Sequence, residues 1–334
     1  MRIKKIFLIL ILIISTMPIR AESLSHDNFS PYIETFTLGR IDWDNGLIHG
    51  VGRAYLDKNG TKLRALRAAR VVASGNILKL AAGMRLDDRH TLESLGRGEI
   101  AIQLQAFLKV ENETRQLIQG KRPYYEVTQT APIKGVEGLT SKLFSHLKSK
   151  QVDWMPPPQH QATPPEMEDK NGPWLVLDAR KFAKKNRVKP ALLPKVLTPG
   201  GRLVYSSSQV SAQALVKRGM VSYVTSDKTL KQLQAATGIS SRMLAELKAV
   251  LSPAQAYAKS DKKRPRKKQQ FIVKEVKEVQ GLMNTNLVIT EKDANQLKTE
   301  DASSRILKNC RVIVVVSTQI SGIEGNLMYY LSKN

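Results

Sequence analysis

The chain has 334 residues and a mass of 37.3 kDa, enough for two ordinary domains with apolar cores. At 42% hydrophobic and 25% charged residues, it is neither a disordered chain nor a multispanning membrane protein. Its 53 Lys and Arg against 29 Asp and Glu give a net charge of +24, and the single cysteine excludes a disulfide framework and any cysteine-based zinc finger.

The first residues read as a secretory signal peptide. Arg2, Lys4 and Lys5 precede a continuous apolar run over residues 6–14, and Ser15 to Ala21 supply a small-residue exit, so cleavage is expected after Ala21. The run is far short of the roughly 20 apolar residues that cross a bilayer, and no transmembrane helix is expected in the mature chain. Cys310 is the only cysteine, so no lipid can be attached at the cut. Loss of Arg2, Lys4, Lys5 and Arg20 lowers the charge from +24 to +20. The mature protein is itself basic, expected in the periplasm or secreted, with polyanions as partners.

Next comes a part of α+β type, residues 36–150. Residues 40–44 and 47–57 are expected strands, joined at Asn45-Gly46, a strong hairpin signal. Residues 61–84 contain no proline and repeat Leu63, Leu66, Ala69, Ala73, Ile77 and Leu80 at helical spacing, which predicts a long amphipathic helix. Residues 99–111 alternate, with Ile100, Ile102, Leu104, Ala106, Leu108 and Val110 on one face, as a half-buried strand does. Residues 123–133 are its expected partner, and residues 136–150 a closing helix.

Residues 151–170 hold Pro156, Pro157, Pro158, Pro164 and Pro165 with Asp153, Glu166, Glu168 and Asp169, the composition of a stiff, acidic linker. Beyond it, residues 171–334 read as a second mixed α/β domain. Strands are expected at 174–177, 192–198, 202–206, 220–225, 271–279, 287–290 and 311–317, with helices at 210–218 and 291–307. An insertion at about 226–270 carries two short helices, 229–236 and 240–251, and then a basic run. The fold class is α+β: two mixed domains with antiparallel sheets packed by helices.

Gly50-Val51-Gly52-Arg53-Ala54, the helix with Arg64, Arg67, Ala68, Ala69 and Arg70, and the alternating strand together resemble the bacterial Lpp-twenty lipoprotein family of cell-envelope proteins over residues 46–148. Residues 174–180, 190–196 and 311–315 look like the extension found in longer members. The resemblance implies the fold and an envelope location more than an activity, and a flagellar-base accessory role is among its implications. That family is lipidated on cysteine, and this chain has none at the cut. Thr229, Leu230, Leu233, Ala236, Gly238, Ile239, Ser240, Leu244 and Leu247 are similar to the helix pair of a LysM glycan-binding module, and equally to a plain packed pair.

Catalytic and metal chemistry leave little trace. His26, His49, His90, His146 and His160 are scattered, so neither a metal site nor a cofactor is expected. No Gly-x-Ser-x-Gly turn occurs, and Cys310 heads an apolar run as an inert buried thiol would. Gly50-Val51-Gly52 lacks the further glycine or lysine of a phosphate loop and reads as small residues where a strand meets a helix. Asp178 ends a buried strand, as a general base or as a turn cap. Arg64, Arg67 and Arg70 share one side of the long helix, as a solvated face or an anion contact.

The strongest local charge is Lys259, Lys262, Lys263, Arg264, Arg266, Lys267 and Lys268 against Asp261. At an anionic lipid surface each such residue adds about 1 kcal/mol, screened within roughly 8–10 Å. Stacking aromatics are sparse around it, which disfavours nucleic acid. The expectation is a non-enzymatic envelope protein of structural or assembly role. Its partners would be envelope proteins and an anionic lipid or glycan such as peptidoglycan; an enzyme acting on envelope polymer is the competing class.

Overall fold

A computed structural model describes residues 32–56, 61–95, 110–143, 172–182, 186–224, 239–251 and 270–316. The leader, the linker, the basic run, the expected helix over 229–236 and most of the expected strand over 99–111 lie outside the described residues.

The first part is an antiparallel sheet of β1 (Ile33–Phe36), β2 (Gly39–Asp42), β3 (Leu47–Tyr55), β4 (Asn112–Ile118) and β5 (Tyr124–Pro132), in the order β1-β2-β3-β5-β4. The Asn45-Gly46 hairpin joins β2 to β3 with Gly46 at φ 66°, as a tight turn requires. One face carries α1 (Lys62–Ala82), whose first turn is capped by Thr61 Oγ1 accepting from Arg64 N. Gly50 and Gly52 lie under this helix: a Cβ on Gly52 would overlap the Ala69 carbonyl, and one on Gly50 the Ala73 carbonyl. Ala69 and Ala73 are buried without residue. The glycines are packing positions, and the strand approaches the helix backbone as closely as it does because it has no side chain in the way at Gly50 and Gly52.

The expected strand over 99–111 is displaced in its described portion. Residues 110 and 111 are irregular, and β4 begins at Asn112. Its sequence, Asn-Glu-Thr-Arg-Gln-Leu-Ile, does not alternate: among the described residues β4 is the outer strand, held by backbone bonds to β5 with most side chains exposed. Of the expected helix over 136–150, residues 139–143 are helical and the rest lies outside the described residues.

The second part departs from the expected antiparallel sheets. Strands β6 (Trp174–Ala179), β9 (Ser222–Val224), β10 (Phe271–Glu275) and β13 (Val312–Val316) form a parallel sheet in the order β10-β6-β13-β9. The reason is legible in composition: Trp-Leu-Val-Leu and Val-Ile-Val-Val-Val are apolar on both faces, as strands covered on two sides are. Leu175, Leu177, Val312 and Val314 face the main core, and Trp174, Val176, Ile313 and Val315 face the other way. There they pack with Met243, Leu244 and Leu247 of α3 (Ser241–Leu251), the described helix between β9 and β10. That part of the expected insertion thus covers the sheet.

A second small sheet is mixed. Its strands are β7 (Val196–Leu197), β8 (Leu203–Tyr205), β11 (Glu278–Gln280) and β12 (Asn286–Val288), in the order β11-β12-β7-β8. The expected hairpin around Pro199-Gly200-Gly201 joins β7 to β8, with Gly201 at φ 81°. The expected single strand over 271–279 is divided at Val276 between the two sheets. Helices α2 (Ala212–Arg218), closed by Gly219 at φ 70°, and α4 (Glu291–Ser304) complete this part.

One apolar cluster runs through both parts, from Ile48, Leu80, Met84 and Leu86 to Leu175, Tyr205, Leu215 and Val314. Backbone bonds cross between them: Leu192 N donates to Arg85 O at 3.0 Å, Leu193 N to Leu86 O at 2.7 Å and Gly135 N to Val216 O at 3.0 Å. The Arg85 guanidinium, buried in this seam, pairs with Glu34 and donates to Pro190 O.

Candidate anion-binding cleft

A cleft of about 400 Å³ opens between α4, β8 and the segment that follows α4. The size suits a small organic ligand or one unit of a polymer. Ala294, Lys298 and Asp301 lie at positions four and then three residues apart, so a single face of α4 forms one wall. Thr290 caps the helix start by accepting from Asp293 N at 3.0 Å. The end is set by Arg305, left-handed at φ 51°, which turns the chain back so that Leu307 and Lys308 reach the same cleft. Asp301 holds that turn twice: its carbonyl accepts from Arg305 N and its Oδ1 from Leu307 N, each at 2.8 Å.

The opposite wall is Arg202, Leu203 and Val204 with Gln209 of the short 3-10 turn Ser207–Gln209. Gln209 Oε1 accepts from Ser206 N at 3.0 Å, and Arg202 Nη2 donates to Glu291 Oε2 at 2.5 Å and Asn295 Oδ1 at 3.0 Å. Ser211 N donates to Lys308 O and ties the returning segment to α2.

Charges in the cleft are unevenly matched. Arg202 has Glu291, but Lys298 and Lys308 form no ion pair among the described residues. Asp301 is half-buried, and that burial pushes its carboxyl above the usual range despite the backbone N–H groups of Leu307 and Ile306 that favour its ionised form. With Leu203, Val204, Ala294 and Leu307 as apolar lining, the cleft can hold an anionic group with a short hydrocarbon body.

The positions singled out in the sequence fare differently. Lys259, Lys262, Lys263, Arg264, Arg266, Lys267 and Lys268 lie outside the described residues. Arg64 and Arg67 are exposed on α1, and Arg70 Nε donates to Glu113 Oε1 at 2.8 Å. Asp178 accepts from Arg180 N at 3.1 Å and from Arg180 Nη2 at 2.6 Å. Half-burial alone would raise its carboxyl, but Arg180 outweighs this and holds it below the usual carboxylate range. That is the behaviour of an anchored turn carboxylate and not of a poised base. Burial pushes the Cys310 thiol up to about 12, as for an inert sulfhydryl. No group of three or more His, Cys, Asp or Glu able to hold a metal occurs among the described residues, and no described helix is long and apolar enough to cross a membrane.

Sequence reasoning missed the cleft. Arg202 and Gln209 are about ninety residues from Lys298, Asp301 and Lys308, and neither segment carries a motif; only the sheet topology brings them together.

Fold and cleft define a mixed α/β protein whose second half carries a cleft lined by Arg202, Lys298 and Lys308 beside Asp301. Residues 174–318 of that half match the family model described as Treponema pallidum Tp0624, second domain. The match begins at the first residue of β6 and extends just beyond β13, so it contains the whole cleft. No curated protein sequence matches the chain.

Proposed function

We propose that this is a non-enzymatic, exported cell-envelope protein that attaches to an anionic envelope component, lipid or glycan, through basic surfaces. The observation that carries the reading is the cleft in which Lys298 and Lys308 stand without carboxylate partners beside an oriented Arg202. The +24 charge of the chain and the basic run over 259–268 support it by raising the attraction at a distance, and the amino-terminal leader supports the location. Anchoring of Asp178 by Arg180 favours binding over hydrolysis.

Sedimentation with purified cell wall and with anionic vesicles, at about 0.05 M and 0.5 M salt, tests the proposal. Retention is expected at low salt, is weakened at high salt, and falls at least tenfold in the Lys298→Glu, Lys308→Glu double variant. Retention that ignores both salt and the double variant overturns it. Fractionation that finds the intact leader on cytoplasmic protein overturns the export part.

A further inference from the structure

The cleft holds charges of both signs that do not satisfy each other. Lys298 and Asp301 are three residues apart on one face of α4, and Lys308 returns to the same cavity, yet no ion pair joins either lysine to Asp301. The Asp301 carboxylate is satisfied by backbone N–H groups of its own turn, and both lysines are exposed, so the two signs line one cavity without being paired to each other. The carboxylate is kept in place by the turn it closes, through Leu307 N and Ile306 N, so it is fixed before any ligand arrives. Fixed groups lose little freedom on binding, which is the condition for small-ligand recognition.

The lining chemistry narrows what would fit. Lys298 and Lys308 offer contacts to an oxyanion, Asp301 offers its carboxylate to a cation or N–H donor, and Leu203, Val204 and Leu307 offer hydrocarbon. A simple anion satisfies the lysines and repels Asp301; a simple cation does the reverse. A molecule bearing an ammonium and a carboxylate on one carbon of an aliphatic body answers all three.

Resting on the anion-binding reading of this cleft, we infer that it recognises a zwitterionic aliphatic amino-acid group, its carboxylate at Lys298 and Lys308 and its ammonium at Asp301. Arg202, already paired with Glu291, keeps the β8 wall in position and is not the primary contact.

The test is an isothermal titration of the full chain with three probes of matched hydrocarbon length, repeated by amide NMR shifts. Norleucine carries both charges, hexanoate lacks the ammonium, and pentylamine lacks the carboxylate. Norleucine is expected to bind at least tenfold more tightly than either of the others. In Asp301→Asn, whose Oδ1 still accepts from Leu307 N and so keeps the turn, norleucine should fall to the affinity of hexanoate. The Lys298→Gln, Lys308→Gln double variant should lose both. Hexanoate binding as tightly as norleucine overturns the zwitterion inference and leaves the anionic reading standing. Absence of heat and shifts with all three probes overturns the inference as well, and salt-dependent wall binding then decides the broader reading separately. Unchanged norleucine affinity in Asp301→Asn, with the amide spectrum otherwise preserved, also overturns it.

Discussion

The two halves of the molecule bury helices against sheets by opposite means. In the first, α1 sits on an antiparallel sheet through Gly50 and Gly52 against Ala69 and Ala73, so the contact is nearly backbone on backbone. In the second, Trp174, Val176, Ile313 and Val315 meet Met243, Leu244 and Leu247, and side chains fill the space. The first contact tolerates no added atom but owes little to side-chain shape. The second is a conventional interior, where volume can be exchanged among neighbours. The contrast therefore separates a half specified by what is absent from a half specified by what fills it.

The sharpest way to break the comparison is Gly52→Val. The new Cβ meets the Ala69 carbonyl, and backbone cannot rotate away as a side chain can. A loss of about 3 kcal/mol or more is expected, at the upper end of overpacking costs. Denaturant titration checks it; a loss below about 1 kcal/mol would mean that α1 rides loosely. Gly75, on the same helix with open space around its missing side chain, is the control: Gly75→Ala should stabilise by about 0.5–1 kcal/mol.

Next in size is the seam between the halves. Lys134 belongs to the first part, is partly buried, and donates to Val221 O of the second at 3.2 Å. Burial lowers its pKa from 10.5 to about 8, with Asp44 opposing the shift. At Lys134 the unfolded chain therefore holds the proton more tightly between about pH 8 and 10.5, so this residue's contribution to stability rises with pH across that window, while the raised Cys310 thiol opposes it at the upper end. Below pH 8 the penalty is complete, on the order of 3 kcal/mol at one pKa unit per 1.36 kcal/mol. Lys134→Met should raise stability at pH 7 by a similar order, with the gain over wild type shrinking as pH rises from 8 to 10.5. Thermal unfolding at pH 7, 9 and 10.5 reads both. Because one apolar cluster spans the seam, a single unfolding transition is expected in wild type, and two transitions would dissolve the unity of that core.

How much of this was legible in the sequence follows the same divide. Periodicity located α1, and Asn45-Gly46 located the hairpin, because both are local signals. The packing role of Gly50 and Gly52 was also readable, since small residues in a strand beside an alanine-rich helix imply close approach. Strand direction in the second half was not. The runs Trp174–Leu177 and Val312–Val316 announce burial on both faces, but the partners β10 and β9 are chosen by long connections that local pattern does not encode. Strand β4 escaped because its stability comes from hydrogen bonds to β5 and not from an apolar face. The cleft escaped for the stronger reason that its charges come from two remote segments. The lysines and arginines most conspicuous in sequence are conspicuous through clustering, whereas only the fold places Lys298 and Lys308 on one cleft.

The smallest expected effect tests whether the parallel-sheet half carries a general base at its strand end. Asp178 terminates β6, beside Glu275 in the neighbouring strand, where burial and that second carboxylate both favour the protonated form. The two-point contact from Arg180 wins, and the folded pKa lies below its unfolded value. The pair therefore contributes stability above the unfolded carboxylate pKa of about 3.9, and that contribution is lost as pH falls through the lower folded value. Since Arg180 is substantially exposed, solvent screening limits the gain to about 0.5 kcal/mol. Asp178→Asn should cost about that much at pH 7, with wild type and variant converging below pH 4 in parallel denaturant titrations. Wall binding should not change. A variant as stable as wild type at pH 7 but deficient in a wall-cleaving assay would move Asp178 from anchor to catalyst, and would give the second half a chemistry that its pairing with Arg180 argues against.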